Sequence, residues 1–338
     1  MIRLLTMLTL ISLITMRFAP AQEVLRAGII GLDTSHVPAF TRIFNSAVAD
    51  NQGDLGGIKV VVGYPGGTDF PASRDRVARF TEQVRGMGLE IVQTIPELLQ
   101  KVDVVLLESV DGRIHLQEAA QVIKAGKPLF IDKPVAGSLA DAIAIFELAK
   151  KYNVPIFSSS SYRFYPGLLA LLNTEKVGEI AGAATWGPCS YQRDTPDMVF
   201  YGIHGIEALY TLMGTGCQTV SRIKTADTDL VSGTWANGRI GTYRGIRKNS
   251  ADSGAIVFGS KGIVLAEKNG SYADLCKAIA KFFRTRVPPV SAQTTIEMFA
   301  FMEAADASWL RNGAPVSVDD VLKEAQVKAK ARLAEVEK

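Results

Sequence analysis

Ala125-Gly126-Lys127-Pro128-Leu129-Phe130-Ile131-Asp132-Lys133-Pro134 is the stretch that decides how this chain is read. The run from Lys127 to Ile131 has the length and apolar character of a buried strand. Gly126 stands just before it, where a helix commonly ends in a left-handed residue. Ser138-Leu139-Ala140-Asp141 follows, with the hydroxyl and carboxylate of a helix start. A strand framed by two helices belongs to a parallel sheet, and ligands bind such a sheet at the C-terminal ends of its strands. Lys133, between a carboxylate and a proline, is therefore a candidate for moving a proton or polarising a substrate oxygen. A surface Asp-Lys pair before a turn proline is the plainer reading of the same residues.

Upstream, apolar strands alternate with amphipathic helices. Strands are expected at Leu25–Gly31, Ile58–Gly63, Glu90–Gln93, Val102–Leu107 and Pro155–Ser158. Helices are expected at Val37–Ala47, Ser73–Met87, Ile95–Gln100, His115–Ala125 and Leu139–Tyr152. Uninterrupted apolar strands spaced by helices imply a doubly wound, Rossmann-like parallel sheet over residues 23–158. Beyond it the rhythm changes to short strands in succession: 179–187, 220–224, 230–235, 239–245, 252–258 and 262–267. Asn237-Gly238 is a hairpin turn signal between two of them. Helices return at 167–173, 204–213, 271–284, 293–312 and 318–337. Residues 159–338 thus read as an α+β domain with a large, mostly antiparallel, open-faced sheet. Its uncovered face is expected to meet a second copy of the chain.

Composition narrows the class. The chain has 338 residues, 47% hydrophobic and 21% charged, with a net charge of +3. That charge is too small, and no basic cluster interleaved with aromatics is present, so nucleic acid is not an expected partner. Arg3, the apolar run Leu4–Met16 and the small-residue Ala19-Pro20-Ala21 read as a cleavable leader over residues 1–21, cut after Ala21. A periplasmic or secreted protein follows, without stable membrane insertion of the mature chain, because the run is short for a span. Cys189, Cys217 and Cys276 match no metal-ligand spacing, so no metal is expected, and one disulfide among them is conceivable.

The first strand ends Gly28-Ile29-Ile30-Gly31-Leu32-Asp33-Thr34-Ser35-His36. A dinucleotide fingerprint would sit here. Gly31 matches its first glycine, but Asp33 and His36 occupy the second and third positions. A carboxylate at the second position opposes a pyrophosphate, while Thr34 and Ser35 still offer hydroxyls and helix-start N–H groups to an anion. Equally, Asp33 and Thr34 serve as helix caps. Tyr64 stands after the second strand, where an acidic residue usually holds the ribose hydroxyls. Ser73 and Arg74 beyond it suit a 2′-phosphate or simply a solvated helix.

Together these residues resemble the glucose–fructose oxidoreductase, inositol dehydrogenase and MocA (Gfo/Idh/MocA) family. Ala125–Pro134 is similar to the family's strand ending in glutamate-lysine-proline. Ser161-Tyr162-Arg163-Phe164-Tyr165-Pro166 is similar to its crossover into the second domain. The resemblance implies an NAD- or NADP-dependent oxidoreductase acting on a sugar or polyol hydroxyl by hydride transfer. It implies a cofactor side formed by Gly31, Thr34, Ser35, Tyr64, Ser109, Asp132, Lys133 and Pro134. Lys133 would contact both the nicotinamide ribose and the substrate hydroxyl, with Asp132 in place of the glutamate. His204 aligns with the family's second-domain histidine, while the aspartate four residues earlier falls on Phe200. His204 is the general-base candidate, with Glu207 one turn on to orient it. Arg163 and Tyr201 are candidate substrate contacts, and Tyr191, Gln192, Arg193 and Asp194 form a polar loop of sugar contacts or rim residues. His36 and His115 each open a helix and read as structural. The degenerate fingerprint leaves two further readings: a cofactor-independent carbohydrate lyase, hydrolase or isomerase, and a non-catalytic sugar-binding protein.

Overall fold

A computed structural model describes residues 24–49, 53–172, 174–249 and 252–338. The expected leader and its cleavage point lie outside these. The N-terminal part runs β1 (Leu25–Ile30), α1 (His36–Ala49), β2 (Ile58–Tyr64), α2 (Pro71–Arg74), α3 (Val77–Gly86), β3 (Glu90–Ile91), α4 (Ile95–Leu99), β4 (Val104–Leu107), α5 (His115–Lys124), β5 (Leu129–Asp132), α6 (Leu139–Lys151) and β6 (Ile156–Ser159). Its six strands are parallel in the order β3-β2-β1-β4-β5-β6. β4, β5 and β6 are buried at every position, as strands covered on both faces must be. The quoted stretch folds as read: Gly126 has φ 71°, and the Ser138 side chain accepts the Asp141 N–H at the start of α6.

The remainder runs α7 (Pro166–Leu169), β7 (Ile180–Pro188), α8 (Ile203–Met213), β8 (Cys217–Lys224), β9 (Thr228–Trp235), β10 (Ile240–Ile246), β11 (Gly254–Gly259), β12 (Ile263–Leu265), α9 (Tyr272–Thr285), α10 (Ala292–Leu310), β13 (Val316–Ser317) and α11 (Val318–Glu337). The sheet order is β12-β11-β7-β10-β9-β8-β13. All its pairs are antiparallel except β7 with β10. Asn237 and Gly238 both take positive φ, as a tight turn between β9 and β10 requires. One face packs on α8 and α10, while Ile223, Leu230, Ile240, Phe258, Ile263 and Leu265 are exposed.

Two features depart from the sequence reading. The helix expected over 73–87 is two helices, because α2 ends at Arg74 and α3 begins at Val77. The domains also interlock. Leu275, Cys276, Ile279, Phe282 and Phe283 of α9 bury into the core formed by α1, β1 and β4, and α11 packs along α6. Each fully buried side chain of this size contributes about 1.5–3 kcal/mol. α9 thus belongs energetically to the first domain although it lies far along the second. The three cysteines are buried and unpaired.

Candidate active site

β1, β4 and β5 are neighbours, so the residues following them converge at one edge of the sheet. His36 opens α1 after β1, Glu108 and Ser109 follow β4, and Asp132 and Lys133 close β5. Above this edge lies a cleft of about 420 Å³. Its floor is Thr34, Ser35, His36, Arg76, Val110 and Lys133; its roof is Ser161, Tyr162, Phe200, Tyr201 and His204 of the second domain, with Tyr272 of α9 alongside.

The structure thus brings Lys133, His204, Tyr201, Thr34 and Ser35 together. Lys133 Nζ lies 5.5 Å from the Tyr201 ring centroid. Burial holds its ammonium below the usual lysine range, against the attraction of Asp132. His204 Nδ1 is 2.7 Å from Ser160 Oγ, and its ring packs between Tyr162 and Tyr201 at 5.2 and 5.4 Å. Burial, reinforced by the positive charge of Lys133, drives His204 well below the usual histidine range. The imidazole is therefore neutral. It can act as a base through Nε2 when Nδ1 carries the proton and donates to Ser160.

Other expected residues lie elsewhere. Arg163 does not line the cleft: it is half-buried and pairs with Glu207, with its Nη2 3.7 Å from Met298 Sδ. Among the described residues no hydrogen bond joins Glu207 to His204; Glu207 also accepts from Ser159 Oγ at 2.8 Å and from the N–H of Ser160, whose Oγ meets His204. This pair clamps the crossover between domains, a packing role. Ser109 is buried and donates to Glu118 at 2.7 Å. Asp132 is buried and faces His36 across 2.6 Å, and Pro134 is buried against Gly112. Tyr64 folds back over Gly66. In the polar loop, Tyr191 donates to Asp229, Gln192 is buried on Asp111, and Arg193 is exposed. None of these lines the cleft. Arg74 is exposed beside Asp75, and Ser73 is buried.

His36 and Arg76 were not expected at the cleft. His36 looked like a helix-start residue, and only the fold brings it opposite Asp132, 96 positions away. Arg76 was hidden inside a helix read as continuous. His115 is structural as expected, its Nε2 2.7 Å from the Ser109 carbonyl.

The first turn keeps part of the geometry of a dinucleotide fingerprint. Gly31 has φ 84°, and a Cβ there would lie 2.2 Å from Ser109 Oγ, so the tight turn needs glycine. The Asp33 carboxylate does not project from it. It is buried, accepting from Ser73 Oγ at 2.5 Å and the Val110 N–H at 2.8 Å, and burial raises it above the ordinary aspartate range. Thr34, Ser35 and Arg76 line the cleft at the start of α1, where helix-start N–H groups and a guanidinium can receive an anion.

Residues 71–160 match the Gfo/Idh/MocA family model, described as an oxidoreductase family with an NAD-binding Rossmann fold. No curated protein matches the sequence. Among solved structures the chain is similar to GenD2 from gentamicin A biosynthesis in complex with NAD, with TM-score 0.70 and 16% identity over 87% of this chain and 96% of that one. It is similar to a scyllo-inositol dehydrogenase from Lactobacillus casei with bound NAD(H) and scyllo-inositol (TM-score 0.70, 14% identity, 88% and 100% covered). An oxidoreductase from Agrobacterium radiobacter, in complex with NAD+, L-tartaric acid and magnesium, gives 0.69 and 15% over 88% and 99%. At these identities the likeness is one of fold.

Proposed function

We propose that this chain, a Gfo/Idh/MocA-family protein by its matched segment and its two-domain fold, is an NAD(P)-dependent oxidoreductase of sugar or polyol hydroxyls. The observation that carries the reading is the meeting of Lys133 and His204 in one cleft, beside the start of α1 where an anion can be received. Thr34, Ser35 and Arg76 would hold the cofactor's pyrophosphate, and Lys133 would lie at its nicotinamide end. The bound nicotinamide supplies a hydride acceptor. His204 Nε2 takes the hydroxyl proton of the substrate, with Nδ1–H held by Ser160. Lys133 stabilises the oxygen as negative charge develops on it. Tyr201 and Tyr162 flank His204 and present the flat, amphipathic surface on which a sugar ring can stack.

The test is to denature the purified protein, measure released NAD(P), and titrate the stripped protein with both cofactors. Stoichiometric release or saturable binding supports the reading. No release, with no binding at millimolar cofactor, overturns it. Lys133→Ala and His204→Ala should each lower kcat at least ~100-fold; a sugar-binding protein has no turnover to lose.

One observation favours a cofactor-independent lyase, hydrolase or isomerase instead. A Cβ at Gly66 would lie 3.5 Å from Gly31 Cα, so the loop after β2 rests on the first turn. No binding of either cofactor, with turnover of a carbohydrate retained, would decide for it. We also propose export through the leader, tested by N-terminal sequencing of the mature protein. Self-association through the exposed face of the large sheet is proposed as well, tested by light scattering. Among the described residues no helix is long and apolar enough to cross a membrane.

A further inference from the structure

Beneath the floor of the cleft, His36, Glu108 and Asp132 each offer a ligand atom, all within 4.8 Å of one another. All three side chains are buried. Among the described residues, neither oxygen of Glu108 has a hydrogen-bond partner, and Asp132 Oδ1 has none. Buried carboxylate oxygens are otherwise paired or bound to a cation, because an unpaired polar atom there costs about 1–3 kcal/mol and a charge costs more. Lys133 is the adjacent cation, yet it forms no salt bridge with either carboxylate, and its Nζ lies toward the Tyr201 ring. His36 meets Asp132, which leaves Glu108 with no counter-charge in contact.

We propose that His36, Glu108 and Asp132 form a binding site for one divalent transition-metal ion. The charge count favours it: two carboxylates and a dication sum to zero, and Lys133 and Arg76 remain as positive groups facing the cleft. One imidazole nitrogen with two carboxylate oxygens suits Zn(II), Mn(II) or Fe(II) better than Mg(II) or Ca(II), which favour all-oxygen shells. His36 also lines the cleft, which gives an ion a path inward. No ligand spacing along the chain marks this site. Its residues come from three elements and converge because β1, β4 and β5 are adjacent parallel strands. The inference concerns binding alone and does not rest on the proposed oxidoreductase activity.

The rival is a proton shared between Glu108 and Asp132, which would satisfy the same oxygens without metal. The full chain, stripped with chelator, is dialysed against ZnCl2 or MnCl2, and bound metal is counted by mass spectrometry. The expected result is one equivalent bound and a metal-dependent rise in Tm, as for any ligand that binds only the folded state. Glu108→Gln should weaken binding by at least ~10-fold, the floor known even for residues that merely support metal ligands. Asp132→Asn should do the same and serves if Glu108→Gln does not fold. His204→Ala should bind metal as the unaltered chain does, which separates this site from the cleft chemistry. No stoichiometric uptake of either metal, or undiminished uptake by a folded Glu108→Gln, overturns the proposal. So does the infrared band of a protonated carboxyl in metal-free protein that takes up no metal and loses the band on Glu108→Gln.

Discussion

The second domain and the floor of the cleft both bury charge, and they do so in opposite ways. Arg222 is fully buried, with Nη2 2.8 Å from both Asp197 and Asp229 and its Nη1 on Asp306. Tyr191, Lys224 and Arg247 complete the cluster. Its three carboxylates meet three cations, and every arm of the Arg222 guanidinium is hydrogen-bonded. Beneath the floor of the cleft, two carboxylates meet one imidazole and one lysine, with three carboxylate oxygens bare. There, burial pushes Glu108 well above the ordinary range. At Asp132 burial works the same way, but His36 and then Lys133 together outweigh it and leave the group below its usual value. A closed network binds the fold together. An open one keeps valence for something else.

The largest expected effect breaks the closed network. Arg222→Met leaves Asp197, Asp229 and Asp306 without their central cation. Removing one partner of a buried ion pair costs about 3–5 kcal/mol, because the remaining charge stays buried and uncompensated. Urea unfolding should show a loss of that size. A loss under ~1 kcal/mol would mean that closure of the network contributes little, and the contrast with the cleft floor would lose its energetic meaning.

Glu118 is the intermediate case, buried with one hydrogen bond from Ser109. Burial lifts its carboxyl from 4.5 to about 8. The folded state therefore keeps a proton that the unfolded state has already released. Between those two values the unfolded chain binds fewer protons, so stability falls as pH rises, with a slope approaching ~1.4 kcal/mol per pH unit. Below the window the penalty is absent, and above it the full penalty applies. Glu118→Gln should remove this slope. The variant's stability relative to the unaltered chain, from urea midpoints between pH 5 and 8, should rise with pH; a flat difference would place Glu118 with the closed networks.

Much of this architecture was legible in the chain because it depends on local pattern. Continuous apolar runs gave β4, β5 and β6, Ser138 and Gly126 marked helix ends, and Asn237-Gly238 marked a hairpin. Lys133 and His204 meeting in one cleft followed from the strand end and the resemblance. What stayed hidden depends on convergence. The partnership of His36 with Asp132 spans 96 positions, and no local periodicity encodes it. Arg163 looked like a cleft residue because it sits at the crossover, yet the neighbouring α8 supplies Glu207 and draws it inward. α9 was assigned by sequence order to the second domain, but its apolar face matches the first domain's core.

The smallest effect tests the cleft's anion end against its exterior. Arg74 and Arg76 are two positions apart, on either side of the break between α2 and α3. Arg74 is exposed and paired only with its neighbour Asp75, so Arg74→Ala should change stability and cofactor affinity by no more than ~0.5 kcal/mol. Arg76 lines the cleft, anchored through Nε on the Ala72 carbonyl, with the start of α1 beside it. A charge-assisted hydrogen bond to a phosphate contributes about 1.5 kcal/mol or more, so Arg76→Ala should weaken NAD(P) binding by ~10-fold. Equilibrium titration of both variants reads the difference directly. Equal affinities would move the pyrophosphate away from Arg76 and the start of α1.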